Sequence, residues 1–547
     1  MGEITNLDWW VIGLYLFGLM ALAVWLSRSQ SNRADYYVGG RDIGSWPVAI
    51  SILATQCSTN SILGAPAFVA FTLGGGLVWL QYELALPLAM IVLILFFMPL
   101  FRHLRLVSVY EFIEQRYDLK TRLLLSGLFL WVRAFATAVT VYSIAIVIDL
   151  ITGIGFLGSV IMLGVFTVIY DVFGGIKGVI YSDVIQMFIL VAVLILVFVY
   201  LINGIGGFGQ LFQLVDSERI NAIDFSHHGL GDQHTFAFWP MLFGGLFLYL
   251  AYYGCDQSQV QRELSTKNID TTNQSLMING FLRFPLVLLY CFVGVGIAAY
   301  TQLEPTFLSH LPTTSSGQPQ YNLAVPAYMI SALPSGLVGL ALVALFAAAM
   351  SSLDSVLNSL SATTMEDFVV RFRQSPLSSI QELWISRLVT VIWGTITLAM
   401  AFFVGDIAPT VLEAINKIGS LANGSILAVF TATLFIRMPS VLGACFGLIL
   451  GIFVNALFWK FIPSVSWLWW NPLGFTVTLL VILLGGSINQ LTKTNVRTPK
   501  AVFATESRMT ALQLLAEQSD LNWPRRCGYL VLWFFVLLVF LLMLSYY

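Results

Sequence analysis

Six polar side chains, Ser351, Ser352, Asp354, Ser355, Asn358 and Ser359, interrupt an apolar run that reads GLVGLALVALFAAAMSSLDSVLNSLSATTMEDF from Gly336 to Phe368. Ser351, Asp354, Ser355 and Asn358 fall at i, i+3, i+4 and i+7, so a helix places them on one face, with Ser352 and Ser359 beside it. An oxygen-rich stripe inside hydrocarbon is costly unless it faces a cavity or an ion. Hydroxyls, a carboxylate and backbone carbonyls are the donors a small hard cation requires once its water is stripped. The competing explanation, serine hydroxyls bonding back to carbonyls four residues earlier, accounts for single serines but not for Asp354.

Ionisable residues at similar depth extend the set: Glu83, Arg133, Asp171, Asp183, Asp256, Arg283, Glu413 and Lys417 all lie in or beside apolar runs. Each is a candidate for function by its location, set against a structural role. Glu413 and Lys417 are i and i+4 and can neutralise one another. Arg283 and Arg133 stand near span ends, where snorkelling to the interface is expected, and Asp183 is placed to cap a helix start.

The elements that must position these groups are membrane spans. The 547 residues are 58% hydrophobic and 10% charged, with mean hydropathy +0.85, well outside the range of soluble domains. Apolar runs predict spans at roughly 7–27, 47–74, 77–101, 123–150, 156–176, 179–203, 238–258, 276–301, 335–363, 385–404, 410–436, 439–462, 472–490 and 527–546. About 14 transmembrane helices put both termini on one side. Arg28, Arg33, Arg41, Arg102, Arg105, Arg116, Lys120, Arg122, Lys177, Arg262, Lys267, Arg371, Arg373 and Arg437 fall in loops of one parity, with Lys493, Arg497, Lys500, Arg508, Arg525 and Arg526 in the tail. The opposite side carries only Arg219 and Lys460, so the basic side is cytoplasmic and both termini are extracellular or periplasmic. The net charge of −2 carries no partner information, no basic patch suggests nucleic acid, and the five cysteines lack metal-ligand spacing and read as buried thiols.

Two spans look interrupted. The second, SWPVAISILATQCSTNSILGAPAF, holds the polar run ATQCSTNS before Gly64 and Pro66; the seventh, FGGLFLYLAYYGCDQSQVQR, holds Gly244, Gly245 and Gly254. Broken helices five spans apart predict an inverted-repeat transporter with its site at the midplane. The expected organisation is a first span and loop over 1–46, a five-helix repeat over 47–203, an extracellular loop over 204–237, a second five-helix repeat over 238–436, and C-terminal helices over 437–547 with a cytoplasmic loop at 491–526.

The motifs ADYYVGGRDIGSW (34–46), YDVFGGIKGVIYSDVIQ (170–186), CDQSQVQRELSTKN (255–268), SSLDSVLNSLSATTMEDF (351–368) and GSILAVFTATLFIR with GACFGLILG (424–451) resemble those of the sodium/solute symporter family, over essentially the whole chain. That family includes sodium-coupled sugar, proline, pantothenate, iodide and monocarboxylate carriers. The resemblance implies an all-α polytopic fold with a five-plus-five, LeuT-like inverted-repeat core. It implies a coupling sodium ion held by carbonyls of Ala54, Cys57 and Ala348 and the hydroxyls of Ser351 and Ser352. It further implies a second cation or proton site at Asp183, Asp354 and Ser355, where Asp354 departs from the hydroxyl seen in relatives.

For the solute, the resemblance to the sugar-carrying branch points to Ser61, Glu83, Tyr249, Arg283 and Asn416, with Tyr252 as an inner gate. Tyr249, Ser61 and Arg283 stand where that branch has asparagine, glutamine and lysine, while YYGCDQSQVQR and SATTMEDF lean toward the anion and vitamin carriers. Lys417 is placed to attract a carboxylate. The expectation is therefore a sodium-coupled symporter, not an enzyme, that imports a small polar solute across the plasma or inner membrane. A sugar or polyol stands first, and a carboxylate, vitamin or amino acid stands as the alternative. A transporter-like membrane sensor is the rival class, and it lacks an output module in the sequence. A monomer suffices for transport, and the oligomeric state is left open.

Overall fold

The computed structural model describes residues 4–28, 30–313, 317–404, 411–436, 440–491 and 511–546; the side chains at 60, 411–415 and 488–491 lie outside that description. Among the described residues the chain is helical, with isolated β-bridges and no strand. In chain order the principal helices are α1 (Asn6–Ser27), α2 (Ser45–Gln56), α3 (Thr59–Phe71), α4 (Leu77–Leu104), α5 (Leu119–Thr152), α6 (Phe156–Ile205), α7 (Pro240–Cys255) and α8 (Gln257–Glu263). They continue as α9 (Ile269–Leu303), α10 (Leu337–Phe372), α11 (Ser379–Val404), α12 (Val411–Phe435), α13 (Val441–Phe461), α14 (Trp470–Leu491) and α15 (Trp523–Tyr546).

Eleven helices among the described residues are long and apolar enough to cross a membrane, or twelve when the bent pair α2 and α3 is one span. Trp10, Leu14, Phe17 and Trp25 of α1, and Leu532, Phe535 and Met543 of α15, stand exposed on the outer surface, as lipid-facing side chains do. Helix α6 is 50 residues long but is broken at Gly175, where φ is 55° and ψ is −165°. A side chain there would meet the Tyr36 ring and carbonyl at 2.9 Å, so glycine serves both the turn and the close approach.

α10 is the central post, packed on by α1, α2, α5, α6 and α11 and buried along nearly its whole length. Its serines and asparagine therefore face protein, not lipid. α2 and α3 meet at 53° across Cys57 and Ser58, which frees backbone carbonyls at the end of α2. The second half of the break is held by α9: a Cβ at Gly294 would lie 2.8 Å from the Cα and carbonyl oxygen of Pro66. Small residues permit that helix-to-helix approach.

At the end of α10, Arg122 pairs with Asp367 and, at 2.7 Å, with Glu114; Arg371 reaches Glu114 at 2.6 Å and Arg33 reaches Glu366 at 3.0 Å. Burial alone would raise the Glu114 carboxyl, but Arg371 and Arg122 hold it below the usual carboxylate range. In the 206–239 segment, Asp232 accepts from the amides of His228, Gly229 and His234. These outweigh its slight burial and bring its pKa down to about 2. Of the charges used above for orientation, Arg437, Lys493, Arg497, Lys500 and Arg508 lie outside the described residues, as does the Glu413 side chain.

The Gly294 contact makes a prediction. Gly294→Ala forces α9 off Pro66 and costs about 1–3 kcal/mol by overpacking, lowering the melting temperature of the purified protein. Gly127→Ala, with nothing within 4 Å of the added carbon, leaves it unchanged or slightly raised.

Candidate functional site

Where α2 ends, its unpaired carbonyls face the serine stripe of α10. Ser351 Oγ lies 3.4 Å from the Ala54 carbonyl and 3.2 Å from that of Ala348; Ser352 Oγ lies 3.4 Å from the Thr55 carbonyl and 3.2 Å from Ala348. The two interhelical contacts are longer than the 2.5–3.0 Å usual for O–H···O bonds, so these oxygens gather without satisfying one another well. Four of the five residues implied for the first cation, Ala54, Ala348, Ser351 and Ser352, thus come together. Cys57, the fifth, is buried at the break itself, where its amide donates to the Leu53 carbonyl at 2.8 Å. Thr55 joins them, through a carbonyl that no side-chain pattern announces.

One turn further along α10 lies a buried electrostatic knot. Asp183 Oδ2 accepts from Ser51 at 2.5 Å and faces Arg262 Nη2 at 3.5 Å, while Asp183 Oδ1 has no partner. Arg262 donates to Ser51 at 2.7 Å, to Ser355 Oγ and to the Ser258 carbonyl. Asp354 accepts from Tyr170 at 2.8 Å and from its neighbour Ser355 at 3.1 Å. Asp171 accepts from Asn358, itself bonded by Gln261. Asp183, Asp354 and Ser355 are therefore close, but around a guanidinium. Arg262 counts as a cytoplasmic loop charge by sequence, whereas in the fold it is buried, with 1% exposure, at the end of α8. Asp183 lies well inside α6 and caps nothing.

Beside the serine cluster opens a central cavity of about 200 Å³, lined by Ser61, Glu83, Tyr249, Tyr252, Arg283 and Asn416, among others. All six residues named for the solute line it. Lys417 does not; its neighbours Asn416 and Ile418 do. Glu83 Oε2 accepts from Tyr249 at 2.9 Å and pairs with Arg283 Nε at 3.4 Å. Glu83 Oε1, Arg283 Nη1 and Tyr82 Oη are buried without a partner. Arg283 therefore does not snorkel: it crosses from α9 to the Glu83 carboxylate, leaving one acceptor and one donor free. Arg133 likewise turns inward, onto Asp256 and over the Tyr252 ring at 4.9 Å. Tyr252 accepts from Gln259 at 2.8 Å. Thr55 and Ser352 line the cavity as well as the serine cluster, so a cation in one and a solute in the other share walls.

Known proteins resemble this chain along most of its length. The model of the "Sodium:solute symporter family" matches residues 36–451. The sodium/sialic acid symporter of Aliivibrio fischeri is 30% identical, covering 88% of this chain and 92% of that protein. The sodium-dependent multivitamin transporter of Oryctolagus cuniculus is 30% identical over 84% of this chain and 70% of its own, and the human sodium-coupled monocarboxylate transporter 1 is 28% identical over 78% and 68%. Among solved structures, a Na+-coupled sialic acid symporter in a substrate-bound outward-open state superposes with a TM-score of 0.79 at 24% identity, covering 88% of this chain and 98% of that one. A nucleobase-cation-symport-1 family transporter in a closed conformation gives 0.54 at 12% identity, over 83% and 95%. The broken α2–α3 span, the buried serine face of α10 and the family match over most of the chain lead to one conclusion: this multi-pass membrane protein belongs to the sodium:solute symporter family.

Proposed function

We propose that the protein imports a small polar organic solute by coupling it to sodium, with sodium held by the carbonyls of Ala54, Cys57 and Ala348 and the hydroxyls of Ser351 and Ser352, and with the Thr55 carbonyl beside them. The observation that carries the coupling is the shared wall: Thr55 and Ser352 border both the cation cluster and the solute cavity. Sodium there joins α2 to α10 and fixes the cavity wall that the solute meets, which is a coupling free energy between adjacent sites. Counting α6 as two spans across Gly175, α2–α3 as one and α7 as one gives the fourteen spans read from the sequence. The five-plus-five repeat then runs over 47–203 and 238–436, with both termini external.

The free atoms in the cavity define the solute. Glu83 Oε1 accepts a hydroxyl and Arg283 Nη1 donates to a carboxylate or hydroxyl, while Trp79, Tyr82 and Tyr249 offer ring faces. A hydroxylated solute that also carries a carboxylate, such as an acidic sugar, uses both. The names of the sialic acid relatives agree with that chemistry. The monocarboxylate and multivitamin relatives favour a second reading, a carboxylate without a sugar ring. The Asp183–Asp354 pair around Arg262 is the place for a second cation or a proton, since two carboxylates against one guanidinium leave a buried negative charge to balance.

Melting temperatures of the purified protein, screened against neutral sugars, acidic sugars and monocarboxylates in sodium and in potassium, identify the solute class. Stabilisation by an acidic sugar in sodium alone is expected. Equal stabilisation in potassium would remove sodium coupling.

Glu83→Gln keeps the shape but removes the charge, so solute-dependent stabilisation falls while sodium binding without solute persists. Loss of both would make Glu83 a structural residue. Ser351→Ala and Ser352→Ala each remove one charge-assisted contact, on the order of 1.5–3 kcal/mol, and weaken apparent sodium affinity roughly tenfold to hundredfold. Asp354→Ser leaves that affinity nearly intact and changes the sodium Hill coefficient or the pH profile of uptake. Unchanged values for both would make Asp354 a satisfied buried acid. Orientation has its own check: in intact cells a membrane-impermeant thiol reagent labels a cysteine placed at Ser226 and spares one at Lys120, both exposed. The reverse pattern would invert the topology.

A further inference from the structure

We propose that Asp224, His227 and His234, in the segment between α6 and α7, form a site for a divalent transition metal of the zinc type, whose occupation fastens that segment over the cavity. The carboxylate and the two imidazoles can each offer a ligand atom, and these atoms all lie within 4.8 Å of one another. The His227 and His234 rings stack with centroids 3.4 Å apart and 9° between planes, and His227 Nδ1 is 2.8 Å from Asp224 Oδ2. Rotation of the two rings out of their stack would turn their nitrogens toward one ion at bonds of about 2.0–2.2 Å, leaving a fourth position for water. Two imidazoles with one carboxylate suit zinc and its neighbours, not calcium or magnesium, which take all-oxygen shells.

The cluster is built into its loop. The Ser226 amide bonds Asp224 Oδ1 at 3.0 Å and leaves Oδ2 toward His227. Asp232, by gathering the amides of His228, Gly229 and His234, closes the turn that returns His234 onto His227. The same loop is tied to the transport core. Gln81 of α4, two residues before Glu83, accepts from the Asp224 amide at 3.2 Å and donates to the Phe236 carbonyl at 2.7 Å. The Phe236 ring lies 4.7 Å from Phe68 of α3 and 6.3 Å from Trp79, which lines the cavity. On the far side Ser466 donates to the Gly229 and Thr235 carbonyls at 2.8 Å, and Trp469 Nε1 to the His228 carbonyl at 2.8 Å. A metal joining residues 224, 227 and 234 therefore stiffens the piece of chain that bridges α3, α4 and the start of α14. Control of solute access by that stiffening rests on the transporter reading above; metal binding itself does not.

Zinc titrated into the purified full-length protein, without sodium or solute, tests the site, with magnesium as the comparison ion and amide hydrogen exchange as the structural readout. One zinc per chain is expected, no magnesium, and about tenfold or greater weakening in His227→Ala/His234→Ala. Zinc should slow amide exchange across 224–238 at least tenfold in the native protein and not in the double variant. Asp224→Asn keeps the loop's shape and should weaken binding without changing the melting temperature, which separates ligand loss from unfolding. No zinc binding, or equal binding by the double variant, would overturn the site. Stoichiometric binding with unchanged exchange would overturn the fastening.

Discussion

Everything this fold does depends on a few oxygens that cannot satisfy one another. The break between α2 and α3 exposes the carbonyls of Ala54 and Thr55, and α10 presents Ser351 and Ser352 to them at 3.4 Å, too far for good hydrogen bonds and too dry for water to be free of cost. In the proposed reading a monovalent cation resolves that mismatch, since hydroxyl and carbonyl oxygens replace its hydration shell without the charge that would trap it. The tension is sustained by packing elsewhere: α9 presses on Pro66 through Gly294, and α10 is enclosed by its neighbouring helices, α1, α2, α3, α5, α6, α8 and α11 among them. Because Thr55 and Ser352 also form part of the cavity wall, a cation bound as proposed would also shape the surface offered to a solute.

A second constraint lies one turn away. Asp171, Asp183 and Asp354 are all fully buried, with Arg262 the guanidinium among them, and among the described residues its ion pair is a 3.5 Å contact to Asp183. Removing one member of such a set strands the others in a medium that solvates charge poorly. Hydroxyls distribute the load: Ser51 joins Arg262 to Asp183, Ser355 joins Arg262 to Asp354, and Tyr170 completes Asp354. Ser355 also bonds Thr55 at 3.1 Å and the Ser351 carbonyl, and Thr55 donates to the Ser51 carbonyl at 2.9 Å, which links this knot to the serine cluster.

What could be read from the sequence was whatever repeats locally. The i, i+3, i+4, i+7 spacing of Ser351, Asp354, Ser355 and Asn358 marks a face, and glycine and proline around ATQCSTNS mark a break. Both are properties of neighbouring residues, and both are present in the fold. What could not be read was whatever depends on two distant elements meeting. Arg262 looked like a loop charge because the acid it pairs with lies 79 residues away; Arg283 looked like a snorkelling arginine because Glu83 is 200 residues before it. The Thr55 carbonyl has no side-chain signature at all, since every residue carries one. The long apolar run over 156–203 shows its break at Gly175, where the backbone leaves the helical region and Tyr36 packs close.

The central claim is that sodium alone, without solute, sets the relation between the broken span and α10. Spin labels at exposed Leu73, just after α3, and exposed Ser335, just before α10, report that relation as an electron–electron distance distribution. Sodium should shift the distribution while potassium at the same ionic strength leaves it in place, and Ser351→Ala/Ser352→Ala should abolish the shift. Identical distributions in sodium and potassium, or a shift that survives loss of both hydroxyls, would contradict the account.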